Sequence, residues 1–195
     1  KTDDRRGPGT FDGIQRSMER LREHGVPFGV SLTATTKNCE ELFSDEFMDY
    51  VFFEQGALYG WIFHYMPIGR SYTLDLMPTI QQRQWMWKRS WELIENKNIF
   101  LVDFWNSGTL VDGCIAGGRS SGGGYLYINW DGKVMPCVFV PYSPVNVNDF
   151  YAQGKTLADV WEESFFEHIR SWQQDYLHGN GHRGNLLSPC IIRDH

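Results

Sequence analysis

The sequence predicts an α/β protein in two parts, a fragment of an open parallel barrel followed by a small domain of one β-hairpin and helices. Helix and strand patterns alternate between residues 10 and 105, which is the order of βα units in a parallel sheet. A glycine-rich stretch and an Asp-Gly turn follow, and three of the four cysteines lie in this second part. We place the boundary near Gly108, which gives domains at residues 1–108 and 109–195.

The composition is that of a globular chain and excludes several classes of partner. Of its 195 residues, 42% are hydrophobic and 15% are aromatic, enough to bury a substantial core. The net charge of −6, without any cluster of Lys or Arg, argues against binding to nucleic acid. No apolar run reaches the roughly 18 residues of a membrane span, and the charged first residues do not resemble a signal peptide. We therefore expect a cytoplasmic protein with no membrane partner.

The first helix is predicted to begin with Thr10 as its N-cap and to stop at Gly25. Its apolar residues recur every three or four positions, as in a helix with one buried stripe: Phe11, Ile14, Met18 and Leu21. A charged segment and a Gly-Pro-Gly run precede this helix, with no strand before it. We therefore expect that the N-terminus is truncated and that the isolated chain exposes apolar edges.

The first strand is predicted at residues 26–34, which alternate strictly between two kinds of side chain. One face carries Val26, Phe28, Val30 and Leu32, and the other carries Pro27, Gly29, Ser31 and Thr33. The apolar face can pack against helices. The second face lacks the branched side chains that fill a closed barrel in layers, so it leaves room for a ligand. This pattern favours an open, ligand-lined barrel.

Two further pairs of helix and strand follow. Residues 44–55 and 79–96 show helical periodicity, and residues 60–69 and 99–105 are rich in the aromatic and branched residues of strands. In the second of these helices, the side expected to be buried consists of Ile80, Trp87, Trp91 and Ile94. Parallel sheets of this kind place their functional groups at the carboxyl ends of the strands.

The second part begins with a hairpin pattern. Alternating apolar residues at 125–130 and 133–140 flank an Asp-Gly dipeptide, which favours the positive backbone angles of a two-residue turn. Capping patterns at Thr156 and Ser164 then predict two short helices, or one bent helix, that run to about Tyr176.

The residues most suited to carry chemistry are Cys114, Cys137 and Cys190. They lie far apart in a chain without a secretory signal, so metal ligation or burial is favoured over disulfides. Cys137 lies five residues beyond the turn glycine and Cys114 at the mouth of the glycine-rich loop, so both can reach one point. Small residues let backbone amides approach thiolates, which suits an iron-sulfur site. Three inert buried thiols are an alternative. Zinc is a third, disfavoured because the paired short spacings of a zinc ribbon are missing.

The order of Cys, a variable stretch, Gly-x4-Cys and a distant Cys resembles the auxiliary-cluster domains, called SPASM or twitch domains, of radical S-adenosylmethionine enzymes. Its most specific parts are Gly132-x4-Cys137 and Pro189-Cys190. In the first half, residues 4–11 and 26–38 look like the segment from the fourth to the fifth barrel strand of that superfamily. Residues 65–69, Tyr-Met-Pro-Ile-Gly, are similar to the end of its sixth strand. The resemblance covers nearly the whole chain.

This resemblance implies a fold and cofactors. The first part would be the C-terminal half of a partial (βα)6 TIM-like barrel, and the second a β-hairpin plus helix domain around an auxiliary 4Fe-4S cluster. The metal ligands would be Cys114, Cys137 and Cys190. The intact enzyme would cleave S-adenosylmethionine to a 5'-deoxyadenosyl radical, which abstracts hydrogen from a peptide, a protein side chain or a small molecule. A reductant would supply the electrons.

The resemblance also implies contacts to S-adenosylmethionine. Arg6 would pair with the methionine carboxylate, and Ser31, Thr33 and Asn38 would lie near the ribose and methionine. A solvated charge is the simpler interpretation of Arg6. Ordinary barrel packing is the simpler interpretation of Ser31 and Thr33.

Two departures from the family pattern limit these expectations. The Cys-x3-Cys-x2-Cys loop that holds the catalytic cluster is absent, so catalysis needs an upstream segment and this chain alone should be inactive. A central Cys-x2-Cys-x5-Cys-x3-Cys group is also absent, so the sequence supports one auxiliary cluster. Three thiolates leave one iron for another ligand. Asp194, His195, a cysteine beyond the chain and the substrate are the alternatives, and an open or external position is favoured.

Other residues carry weaker signals. His64 is expected to be a hydrogen-bonded core histidine, Cys39 is expected to be incidental, and Trp105 could line a substrate cleft.

The sequence leaves two classes of function. The first is a radical enzyme acting on a peptide or protein side chain, and the second is a non-catalytic iron-sulfur or scaffold fragment.

Overall fold

The computed structural model describes residues 2–106, 114–118 and 123–178, together with positions 190 and 192. The chain divides into two compact units, Lys1–Phe104 and Trp105–His195, and each is described by itself. Among the described helices, none combines the length and apolar character needed to cross a bilayer.

The first unit alternates helices with three strands. Its elements are α1 (Thr2–Arg6), α2 (Thr10–Glu23), β1 (Val30–Ala34), α3 (Cys39–Leu42), α4 (Asp45–Asp49), β2 (Gly60–His64), α5 (Ile80–Lys97) and β3 (Leu101–Asp103). A π-helical turn, Tyr50–Glu54, continues α4, and a short 3-10 turn, Leu74–Leu76, precedes α5. The strands form a parallel sheet in the order β1-β2-β3. The mixed α/β fold with a parallel sheet is therefore confirmed.

The two faces of this sheet differ as the alternation predicted. In the register, Leu32 lies beside Ile62 and Ala34 beside His64. These positions share the face that packs into the hydrophobic core, where Ala34 and Ile62 are fully buried. The alternate positions carry hydroxyl and aromatic side chains, namely Ser31, Thr33, Trp61 and Phe63. Trp61 stacks on Phe104 at a centroid distance of 5.9 Å, so the second face carries an aromatic cluster beside the two hydroxyls.

The start of α2 differs from the expected cap. Thr10 is the first helical residue, and its hydroxyl donates to the Gly7 carbonyl at 2.9 Å. The carboxylate of Asp3 caps the helix instead, because it accepts the N–H groups of Gly9 and Phe11, each at 2.8 Å. The hydrogen bonds from Phe11 and then Gly9 lower the pKa of Asp3. The prediction that Thr10 is the N-cap was therefore wrong, because a carboxylate from the preceding helix reaches the free N–H groups first.

The helix after β1 contains a wide turn. The N–H of Gln55 donates to the carbonyl of Tyr50 at 2.8 Å, a step of five residues rather than four. Neighbouring side chains hold this turn, since Gln15 donates to the Tyr50 hydroxyl at 2.7 Å and Arg22 to the Glu54 carbonyl at 3.1 Å. The turn therefore fixes α2 against the end of the α4 segment.

The buried side of α5 is rotated from the expected one. Thr79 caps the helix by accepting the N–H of Gln82 at 3.1 Å, and Gln82 closes the capping box. Met86 and Leu93 are fully buried, whereas Ile80, one of the expected core residues, is 61% exposed. Trp87 and Trp91, also expected in the core, are only half-buried, whereas Ile94 does pack against it.

The described part of the second unit contains an antiparallel pair of strands and three helices. These are β4 (Tyr127–Ile128), β5 (Val134–Met135), α6 (Val147–Ala152), α7 (Leu157–Trp161) and α8 (Ser164–His178). Both strands are shorter than the hairpin pattern indicated. The Asp159 carboxylate accepts the backbone N–H of Thr156 at 2.6 Å, so α7 begins where the capping pattern placed it. A small core of Val134, Val160 and Phe166 joins these helices to β5.

The rotated side of α5 gives a stability test. Leu93→Ala should lower the free energy of unfolding by about 2–5 kcal/mol, because it leaves a cavity in the core of the first unit. Ile80→Ala, on the same helix but exposed, should change it by no more than about 0.5 kcal/mol. Urea denaturation of both variants measures the difference. Equal destabilisation would contradict the orientation of α5.

Candidate metal centre

Cys137 lies two residues after the end of β5 and is almost completely buried, with 5% of its surface exposed. It packs with Ala116 and Val140 in a small hydrophobic cluster of the second unit. Burial raises the pKa of the Cys137 thiol, and hydrogen bonds from the backbone N–H groups of Phe139 and Val140 partly oppose this increase. Such N–H donors aimed at a sulfur are the surroundings that tune a thiolate ligand.

Cys114 begins a short loop, residues 114–118, that packs on the same cluster. The Ala116 N–H lies 3.4 Å from the Cys114 sulfur, within the range of a hydrogen bond to sulfur. The next N–H, that of Gly117, donates both to the Tyr125 carbonyl at 3.0 Å and to the Pro136 carbonyl at 2.9 Å. Because Pro136 directly precedes Cys137, this bifurcated bond fixes the loop of Cys114 beside the segment of Cys137.

Cys190 is buried, and its neighbour Ile192 packs on the same cluster. Its charge contributes to the raised pKa of Cys137. Tyr125 links all three thiols, since burial, followed by the charges of Cys137, Cys114 and Cys190, raises the pKa of its phenol. The structure therefore brings the three cysteines around one tyrosine. Asp194 and His195, the expected alternatives for a fourth ligand, lie outside the described residues.

The arrangement does not match a site for a single ion. Within the described part of the chain, no group of three or more His, Cys, Asp or Glu side chains is placed to hold one metal ion. An iron-sulfur cluster is larger and holds its thiolates farther apart, so three buried cysteines around a shared neighbour remain compatible with one.

Two glycines allow the loop of Cys114 to lie against the helices. Gly118 has a positive φ of 84°, and a Cβ there would overlap the Trp161 ring at the end of α7. Gly117 has a φ of 74°, and a Cβ there would lie 3.3 Å from Ile169 and 3.4 Å from Pro136. Only residues without a side chain fit such a close backbone approach. The glycine-rich signal in the sequence thus reflects helix packing as well as access to sulfur.

The residues expected to contact S-adenosylmethionine all lie in the first unit, where Ser31, Thr33 and Asn38 lie on or just after β1 and Arg6 lies at the end of α1. Ser31 is exposed and Thr33 half-buried, both on the sheet face opposite the core. Arg6 is exposed at the end of α1. The pKa of its neighbour Arg5 is lowered, first by partial burial and then by the charge of Arg6, while Tyr65 opposes this decrease.

Asn38 has a structural role that its position in the sequence did not indicate. Its side-chain oxygen accepts from the Thr35 N–H at 2.7 Å and the Thr35 hydroxyl at 2.8 Å, and its amide nitrogen donates to the Thr33 carbonyl at 3.0 Å. These bonds close the turn after β1. Asn38 therefore positions Thr33 at the carboxyl end of the strand.

The remaining candidates belong to the core. His64 and Asp103, at the ends of β2 and β3, form a buried pair with Nε2 and Oδ1 3.1 Å apart. Cys39 is fully buried at the start of α3, and burial raises the pKa of its thiol. Trp105 is buried in the second unit, where its ring packs on Phe139. Sequence reasoning missed Tyr125, because a single tyrosine in a strand pattern carries no signal of its neighbours.

Comparison with protein families supports the metal centre. Residues 119–190 match the SPASM family model, described as an iron-sulfur cluster-binding domain. Cys137 lies within the match and Cys190 is its last residue, whereas Cys114 precedes it. The predicted resemblance is thus confirmed, and an iron-sulfur cluster is the cofactor that the match supports. No curated protein matches the chain.

Two solved structures have a similar fold. One is native anSMEcpe with bound AdoMet, with a TM-score of 0.55 and 15% sequence identity. The other is native anSMEcpe with bound AdoMet and the Cp18Cys peptide, with a TM-score of 0.54 and 16% identity. Each similarity covers 82% of this chain and 45% of the solved chain. The chain therefore corresponds to less than half the length of those proteins.

The close approach of Gly118 to α7 gives a second test. Gly118→Ala should destabilise the second unit by about 2–5 kcal/mol, because the methyl group overlaps Trp161 and the positive φ disfavours alanine. Gly154→Ala shares a positive φ, 71°, but meets no atom within 4 Å, so it should cost only about 1–2 kcal/mol. Thermal unfolding compares the two. The packing of the loop on α7 would be contradicted by indistinguishable melting temperatures.

Proposed function

We propose that this chain is the C-terminal part of a radical S-adenosylmethionine enzyme, with the end of a partial (βα)6 TIM-like barrel in residues 1–108 and a SPASM-type cluster domain in residues 109–195. The observation that carries the proposal is that Cys114, Cys137 and Cys190 all lie near Tyr125. Cys137 and Cys190 belong to the segment that matches an iron-sulfur domain, and Cys114 lies just before it. The parallel order of β1, β2 and β3 supports the barrel.

The three cysteines fit an auxiliary 4Fe-4S cluster by their chemistry and surroundings. Their thiolates supply three of the ligands that such a cluster takes. Backbone N–H groups of Ala116, Phe139 and Val140 already point at two of the sulfurs and would stabilise their negative charge. The fourth position is left to substrate or to a ligand from elsewhere in the protein.

In the first unit, the sheet face with Ser31 and Thr33 would bind S-adenosylmethionine. When bound and reduced at the catalytic cluster, this cofactor supplies a 5'-deoxyadenosyl radical for hydrogen abstraction. The chain's own residues position it and exclude water. The hydroxyls of Ser31 and Thr33 can donate hydrogen bonds to it, and Asn38 holds Thr33 in place.

The favoured substrate is a peptide or protein side chain, with a reductant as the second partner. The structure of anSMEcpe with the Cp18Cys peptide supports this choice, since it shows a protein of similar fold with a bound peptide. We place the protein in the cytoplasm, where thiols stay reduced. A small-molecule substrate and a non-catalytic iron-sulfur domain remain the alternatives that the experiments below separate.

The cluster ligands can be tested by iron content. Anaerobic reconstitution of the full-length protein with iron and sulfide should load about four fewer irons per chain in Cys137→Ala than in the wild type, because one auxiliary 4Fe-4S cluster is lost. Iron analysis and the visible absorption of the cluster provide the measurement. Cys39→Ala is the matched control, since Cys39 is equally buried but lies in the other unit. Unchanged iron in Cys137→Ala would reject the ligand assignment.

The cofactor site can be tested by S-adenosylmethionine cleavage. The reconstituted, reduced full-length protein should form 5'-deoxyadenosine, and Ser31→Ala should raise the KM for S-adenosylmethionine about twofold to tenfold through the loss of one hydrogen bond. Ser17→Ala is the control, because Ser17 is exposed on α2 and its hydroxyl donates to the Gly13 carbonyl of its own helix.

Two outcomes would decide against parts of this proposal. A fully loaded wild-type protein that forms no 5'-deoxyadenosine favours the non-catalytic iron-sulfur domain. An unchanged KM in Ser31→Ala removes that residue from the cofactor site without affecting the class of enzyme.

A further inference from the structure

Helix α8 directs two buried polar side chains at the loop of Cys114. Arg170 is 8% exposed and Gln173, one turn later, is 4% exposed. Neither residue has a place in the function described above. Long polar side chains are seldom buried this deeply unless their groups are bonded.

Both side chains bind backbone carbonyls of the loop. Gln173 donates through Nε2 to the Ala116 carbonyl at 2.9 Å, and Arg170 donates through Nη1 to the Gly117 carbonyl at 3.1 Å. The second guanidinium nitrogen of Arg170 donates to the Trp161 carbonyl at 2.9 Å. The Arg170 guanidinium also lies 5.6 Å from the centroid of the Trp161 ring. The helix thus holds the loop through the carbonyls of Ala116 and Gly117, in addition to the bond that the Gly117 N–H makes to Pro136.

The charge of Arg170 is not balanced by a carboxylate within the described residues. Its partners there are two neutral carbonyl groups and an aromatic ring. Burying a cation without an ion pair costs free energy, because the cation loses its hydration. A nearby anion would offset that cost. The loop that Arg170 binds begins at Cys114, one of the thiolates proposed to hold an iron-sulfur cluster.

We infer that Arg170 is a positioning residue that fixes the Cys114 loop and whose buried charge raises the reduction potential of the auxiliary cluster. Gln173 shares the fixing of the loop without adding charge. The inference rests on the proposed cluster at Cys114, Cys137 and Cys190.

The sign follows from electrostatics. Reduction adds one electron to a cluster whose thiolate ligands are already negative, so a nearby positive charge stabilises the reduced form more than the oxidised form. The surroundings are buried, which limits screening by water and salt. Removing the charge should therefore make the cluster harder to reduce.

The experiment is a redox titration of the reconstituted full-length protein followed by electron paramagnetic resonance. The auxiliary signal is identified as the one that Cys137→Ala lacks. Arg170→Gln, which keeps a hydrogen-bond donor but removes the charge, should shift the equilibrium about tenfold towards the oxidised cluster, a decrease of about 59 mV for one electron. Arg170→Lys keeps the charge and should leave the potential close to that of the wild type.

Two further variants complete the comparison. Gln173→Glu should pair with Arg170 one turn away on α8, cancel its charge and lower the potential as well, so it tests the inference if Arg170→Gln does not fold. Lys155→Gln removes an exposed positive charge from the same unit and should leave the potential unchanged.

The inference is overturned if an iron-loaded Arg170→Gln or Gln173→Glu variant keeps the wild-type potential. It is also overturned if Arg170→Lys shifts the potential as far as Arg170→Gln, since hydrogen bonding rather than charge would then be the cause. Failure of the proposed function looks different, because the wild type itself would then show no signal that depends on Cys137.

Discussion

The bifurcated hydrogen bond from the Gly117 N–H is the interaction on which the metal centre depends. It joins the loop of Cys114 to the carbonyl before Cys137 and to Tyr125, so residues far apart in sequence come to one place. A side chain at position 117 would strain the backbone, because φ is 74° there, and would crowd Ile169 and Pro136, which lie 3.3 and 3.4 Å from the position of a Cβ. A hydrogen bond of this kind contributes only about 1 kcal/mol. Its importance lies in geometry, since it holds the segments of Cys114 and Cys137 beside each other.

In the first unit the comparable constraint is that successive side chains of each strand point to opposite faces of the sheet. It gives the sheet one face for the hydrophobic core and another for hydroxyl and aromatic side chains. The buried pair of His64 and Asp103 lies on the core face, which explains why a histidine at a strand end is structural here. The opposite face carries Ser31 and Thr33 beside aromatic side chains, and it is the face proposed above to bind a ligand.

The sequence predicted those parts of the structure that depend on local periodicity. The order of the strands, their parallel pairing and the start of α7 follow from alternation and capping patterns. The predicted N-cap of α2 and the predicted buried side of α5 were wrong, because the carboxylate of Asp3 in the preceding helix caps α2 and because Met86 and Leu93, rather than Ile80, are buried on α5. The role of Asn38 was also hidden. The roles of Arg170 and Gln173 could not be predicted from the sequence, because their hydrogen bonds go to backbone carbonyls of residues far away in the chain.

The π-helical turn at Tyr50–Glu54 has a consequence for how this chain tolerates changes in length. Such a turn contains one residue more than an α-helical turn, so a single deletion there can be absorbed by a return to α-helical winding. The same deletion inside β2 would reverse its two faces and move Ile62 out of the core. Insertions and deletions among related sequences should therefore collect at the turn and avoid the strand a few residues later.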